Sequence, residues 1–299
     1  MRALKSRWIF GLLASAAFGV APRAGAEPPS PEARAALGEA LEAAVALEAG
    51  LARDWLLGDL VHELIRIRDF AGAERAAAAV GSVDVRADDW GAVAVARAEA
   101  GEVTDALQTA LKIKALERPE ARDATYNRIA QIQAKAGDLE GARSTIGRIQ
   151  LPETASAAAA FAVKIRVEAG DLPGAMSFLP EVTRPKTRAW ALARTAGALA
   201  ARGDLADVER LVKEHRDAAP GMLTAAGEAR ADAGDFGVAA ELARRAQELG
   251  ADEATEGRAR VVEIRARAAQ GDLDGARKLA AAPWREVPIS KYGERWLPP

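Results

Sequence analysis

Cysteine is absent from this chain of 299 residues. No disulfide framework, thiolate metal site or cysteine nucleophile is therefore available, nor is lipid attachment at an N-terminal cysteine. Histidine is nearly absent as well. His62 and His215 stand alone, and His62-Glu63 is not followed by the second His of a zinc-protease helix. No GxGxxG or GxxxxGK phosphate loop occurs. Ser82 lacks the flanking glycines of a hydrolase nucleophile elbow. Asp88-Asp89, just before Trp90, reads as the capped start of a helix rather than a calcium pair. The formal net charge is −2, which offers no basic face for nucleic acid. These absences point to a protein without catalysis, cofactor or metal.

Long hydrophobic runs are confined to one place. Arg2, Lys5 and Arg7 precede an apolar stretch from Trp8 to Ala21, and the small residues Ala24-Gly25-Ala26 follow. This is the pattern of a secretory signal peptide, residues 1–26, cleaved after Ala26. The stretch is too short to span a bilayer comfortably, so no membrane span is expected after cleavage. Cleavage removes four basic residues and no acidic one, leaving a more acidic chain. The expected location is periplasmic or secreted. Residues 27–33, with Pro28, Pro29 and Pro31, read as a linker.

What the chain does contain is a recurring phrase: Gly, an acid, an apolar residue, two variable residues and Ala. It appears at Gly137-Asp138, Gly170-Asp171 and Gly271-Asp272, with looser copies at Gly101-Glu102, Gly203-Asp204, Gly234-Asp235 and Arg68-Asp69. The acid falls at 69, 102, 138, 171, 204, 235 and 272, a step of about 34 that marks a stacked helical-hairpin repeat. The glycine ends one helix in the left-handed conformation. The acid caps the next helix by accepting orphan N–H groups of its first turn.

The residue four places beyond the acid is Ala73, Ala106, Ala142, Ala175, Val208, Ala239 or Ala276, small because two helices cross there. One turn on come Ala77, Ala110, Ile146, Leu179, Val212, Ala243 and Ala280, which are expected to fill the core. The fold class is therefore all-α, a right-handed α-solenoid of about seven antiparallel helix hairpins of about 34 residues over 34–282. Residues 31–50 read as an N-terminal cap helix with Ala36, Leu37, Leu41, Ala44 and Leu47 on its stripe. Residues 283–299, with Trp284, Tyr292 and Trp296 among prolines, read as an extended tail over the last hairpin.

The phrase and its period resemble the tetratricopeptide repeat over roughly residues 55–282. Trp90 and Tyr126 match the family's aromatic eleven places before the glycine. Four places before it, where the family has Tyr, this chain has Leu64, Arg97, Gln133, Arg166, Leu199, Arg230 and Arg267. Pro119, Pro152, Pro185 and Pro220 stand near the family's unit-closing Pro. The resemblance implies that the first helix of each unit lines a concave groove for a peptide or protein partner. That face would carry Trp55, His62, Arg66, Glu99, Asn127, Gln131, Lys135, Lys164, Glu168, Trp190, Glu228, Asp232, Arg258 and Arg265, with Trp190 as the best single anchor. The expected function is an exported binding or scaffolding module for an envelope partner. The rival readings are a protein acting on cell-wall glycan, with the stack as substrate guide, and a structural spacer.

Overall fold

The computed structural model describes residues 30–114, 118–250 and 252–282. The expected signal peptide, the linker before Ser30 and the tail 283–299 lie outside these residues. Among the described residues the chain is all-helical, with fifteen α-helices and no strand. Helix α1 (Pro31–Val45) begins inside the segment read as linker, because the Ser30 hydroxyl accepts the Ala33 N–H and Pro31 takes a first-turn position. Leu41 and Ala44 are buried, whereas Ala36 and Leu47 of the expected stripe are exposed.

The remaining helices follow in pairs: α2 (Leu51–Arg66) and α3 (Phe70–Ala79), α4 (Val83–Glu99) and α5 (Val103–Lys114), α6 (Pro119–Ala136) and α7 (Leu139–Ile146). Then come α8 (Pro152–Glu168) and α9 (Leu172–Ser177), α10 (Pro185–Arg202) and α11 (Leu205–Glu214), α12 (Ala219–Asp232) and α13 (Phe236–Glu248), α14 (Glu253–Ala269) and α15 (Leu273–Ala281). A positive φ stands at every junction within a pair. The six glycines of the phrase have φ from 77° to 87°, and Arg68 takes the place of a glycine at 59°.

The acid after each turn caps the next helix in most copies. Gly72, Gly141, Gly174 and Gly275 donate their N–H groups at 2.9 Å to Asp69, Asp138, Asp171 and Asp272. The third helical position is glycine in these four, for a steric reason. A Cβ on Gly174 or Gly275 would lie 2.1 Å from the capping carboxylate. Where Val238 takes the place, its bond to Asp235 lengthens to 3.3 Å. Asp204 corrects the expectation, since its side chain makes no cap bond. Asp207 occupies the glycine place there, bringing a Cβ and a like charge, and the turn closes through the Asp204 carbonyl instead.

Ala73, Ala106, Ala142, Ala175, Val208 and Ala239 are wholly buried, and Ala276 nearly so. Of the next inward set, Ala280 is exposed, because among the described residues no further helix packs on α15. The four prolines open helices instead of closing units. Pro119, Pro152 and Pro185 are the first residues of α6, α8 and α10, and Pro220 is the second of α12, where a missing N–H costs nothing. Asp88 and Asp89 do not start a helix either. Ser82 caps α4 six residues earlier, its hydroxyl accepting the Val85 N–H.

Within the described residues the chain divides into two compact units, one up to Gln133 with Thr145–Leu151, the other Ala134–Ser144 with the residues from Pro152 onward. In the first, Leu57, Leu60 and Leu64 of α2 pack with Ala73 and Ala77 of α3 and with Trp90 and Val93 of α4. In the second, Leu192 and Leu199 of α10, Met222 and Leu223 of α12, and Leu242 of α13 are buried. Burial of such apolar area, about 25 cal/mol per Å², supplies the stability that no disulfide contributes here.

Candidate functional site

In the first unit α4 and α6 turn stripes of mostly small residues toward a shared groove, to which α2 adds His62 and Ile65. On α4 that stripe is Ala87, Gly91, Ala92, Val95 and Ala96, at the three- and four-residue spacing of one helix face. Facing it on α6 are Ala121, Ala124 and Thr125. A Cβ on Gly91 would lie 2.9 Å from Thr125 Oγ1, so the glycine is what lets α4 and α6 approach. The Thr125 hydroxyl donates to the Ala121 carbonyl at 2.8 Å and is thereby satisfied within its helix.

The result is a groove of about 500 Å³ shared by α2, α4 and α6. Its floor is small and apolar, and His62, Asp88, Glu99 and Arg128 stand along it. Asp88, Glu99 and Arg128 are exposed and form no ion pair among the described residues. Asp89 lies next to this groove and is 5% exposed. Its Oδ2 has no hydrogen-bond partner among the described residues. Burial pushes its carboxyl up to about 6, with His62 opposing the shift and Asp88 and Asp54 adding to it.

Two other buried acids, Asp54 and Asp123, each fifteen residues before a capping acid, have partners. Asp54 accepts the N–H groups of Gly81 and Ser82, 27 and 28 residues ahead, both at 2.7 Å. Asp123 accepts those of Gln150 and Leu151 at 2.9 and 2.8 Å, and Arg122 pairs with its other oxygen at 2.8 Å. In the second unit Ser156 does the same with one bond, accepting the Arg184 N–H at 3.0 Å. These clamps hold the entrance of one hairpin to the first helix of the hairpin before it. No sequence argument singled them out, although their spacing repeats with the Gly-acid phrase.

The expected groove residues fall into several environments. His62 and Glu99 line the α2–α4–α6 groove. Asn127 and Gln131 do not, since they bond each other at 2.9 Å along α6, and Ala124, Thr125 and Arg128 hold the groove face. Lys135 is exposed near the end of α6. Arg66 pairs with Glu63 at 2.7 Å. Trp55 is 72% exposed near the start of α2, one turn from exposed Leu51. Lys164 lies 3.9 Å from Glu168, which also pairs with Arg194 at 3.1 Å. The Arg194 guanidinium lies over the Trp190 ring at 5.3 Å, and Trp190 remains 41% exposed.

A second groove, of about 720 Å³, lies between α12 and α14 in the second unit. Its walls are the ion pairs Arg258–Glu228 at 2.5 Å and Arg265–Asp232 at 2.6 Å. These four residues were expected to share a face, and the structure joins them in pairs across the two helices. Ala254, Gly257, Val261 and Val262 form the floor. Among the described residues no three His, Asp or Glu side chains converge as a metal site, and no helix is long and apolar enough to cross a membrane. The chain matches no protein-family model, no curated protein and no solved structure.

Proposed function

We propose that this chain is an exported binding or scaffolding module, a right-handed α-solenoid of about seven antiparallel hairpins similar to tetratricopeptide repeats. It is cleaved after Ala26, resides in the periplasm or outside the cell, and presents first-helix grooves to a peptide or protein of the envelope. It performs no catalysis and needs no cofactor. The observation that supports this reading is the α2–α4–α6 groove, where an Ala/Gly floor runs beside exposed, unpaired Asp88, Glu99 and Arg128. A floor of small side chains admits a backbone at close range. Charges with no internal partner remain free to select side chains of a visitor. Affinity would then come from area and a few anchors.

The test is affinity capture from an envelope extract with the intact chain, comparing wild type with Ala92→Trp and Glu99→Lys. Circular dichroism confirms that each variant keeps its helical content. A protein retained by wild type and depleted about tenfold or more by both variants supports the groove, a loss of about 1.4 kcal/mol in binding. Identical capture profiles for all three proteins would refute it.

A further inference from the structure

In the α12–α14 groove of the second unit four of the five charges are already paired, and Glu253 at the start of α14 is exposed with no ion pair among the described residues. Arg258 donates to both oxygens of Glu228, at 2.9 and 2.5 Å, and Arg265 pairs with Asp232. Glu253 aside, a visitor therefore gains little by charge and would be selected by the apolar floor. Val261 on that floor is 57% exposed. Leu273, the residue that follows the acidic cap of α15, is 53% exposed. Its counterparts Phe70 and Leu172 are buried, and Val103, Leu139, Leu205 and Phe236 are half-buried.

The chain passes beyond the described residues at Ala282, which is fastened to α14, one of the two helices of this groove. The Ala282 carbonyl accepts a hydrogen bond from Arg260 Nη1 at 3.2 Å. Arg260 precedes Val261 on α14 but is buried and does not line the groove, so the exit point lies level with the middle of the groove on another face of the helix. Residues 283–299 follow, with two of the chain's six Trp, one of its two Tyr, and Val287, Ile289 and Leu297. At about 3.3 Å per residue, ten extended residues reach roughly 33 Å. That is ample to round a helix about 10–12 Å across. Pro283 and Pro288 carry no N–H, which lowers the cost of laying this backbone on an apolar floor.

We propose that residues 283–299 of the same chain occupy the α12–α14 groove, seating their aromatic side chains on Gly257 and Val261. An outside ligand for this groove would have to displace them. The proposal does not depend on a partner for the α2–α4–α6 groove, so either can fail alone.

The test uses the intact chain. Trypsin cleavage after Lys291 and Arg295 is followed by mass spectrometry in wild type, Val261→Asp and Gly257→Trp. Val261 is exposed, so its substitution leaves the helix pair folded, which circular dichroism checks. Both variants are expected to speed cleavage about tenfold or more, since cleavage tracks the population of the open form. Equal rates in the three proteins would overturn the proposal. So would slow cleavage that neither variant changes, which would put the segment elsewhere. Protection that vanishes on dilution would also overturn it, because the occupant would then be a second copy.

Discussion

Arg166 closes on Asp171 with two charge-assisted bonds, at 3.0 and 2.8 Å, across the turn that ends α8 and starts α9. Its remaining nitrogen, Nη1, donates to the carbonyl of Ala134 at 3.0 Å. Arg230 repeats this with Asp235 and the Ala200 carbonyl at 2.8 and 3.2 Å. Arg267 pairs with Asp272 in the last pair of helices. These arginines each stand four places before the glycine of the repeated phrase. They fasten each acidic cap, and two of them also reach an orphan carbonyl near a preceding helix end.

Replacing Arg166 with Leu removes all three bonds and leaves Asp171 without its cation. We expect a loss of about 1–2 kcal/mol, read as a lower midpoint in urea. The loss should shrink in acid. The Gly174 N–H and then Arg166 hold the Asp171 carboxyl below its usual range. A depressed carboxyl stabilises the fold above its ordinary value of 3.8, and that contribution fades as pH falls through the folded value. A variant equal to wild type at pH 7 would show that the pair contributes nothing.

Gly174→Ala sets a Cβ against the Asp171 carboxylate, at 2.1 Å if nothing moves. The cap must rotate away, at a cost of about 1 kcal/mol. Ala is the better helix former elsewhere, so a stabilised variant would refute the steric role given to this glycine.

Asp89 governs a different pH window. Its folded carboxyl titrates at about 6 against an ordinary 3.8, mainly through burial. Between these values the folded state holds more protons than the unfolded state, so stability falls as pH rises from about 4 to 6. Asp89→Asn should flatten that part of the melting-temperature profile and raise the melting temperature at pH 7. A profile that keeps its slope in the variant would move the effect to another group.

Ala175 is wholly buried at the crossing of α8 and α9. Ala175→Trp forces an indole into that crossing, and we expect a loss of about 1–3 kcal/mol or more by overpacking. Unchanged chemical denaturation would mean that the crossing tolerates large side chains.

Local chemistry was the legible part of this chain. Gly170 and Asp171 mark a helix end and a helix start because left-handed φ and capping need only neighbouring residues, and Ala142 or Ala175 follow by helical phase. The glycine at the third helical position was hidden, since its reason is a side chain folding back on it. The partners of Asp54 and Asp123 lie 27 and 28 residues ahead, so no short window contains them. Asn127 and Arg128 are adjacent in sequence, and packing alone decides that Arg128 meets the groove. The paired walls of the second groove were nearer to legible. Glu228 and Arg265 each stand seven residues before a capping acid, Asp235 and Asp272, at equivalent places in successive first helices.

The Asp54 clamp has a kinetic consequence. The amides of Gly81 and Ser82 precede α4, yet their acceptor is a carboxylate on α2. Their exchange with solvent deuterium therefore requires the two hairpins to part, not merely the turn to fray. Those two protons report the opening of the joint between the α2–α3 and α4–α5 pairs.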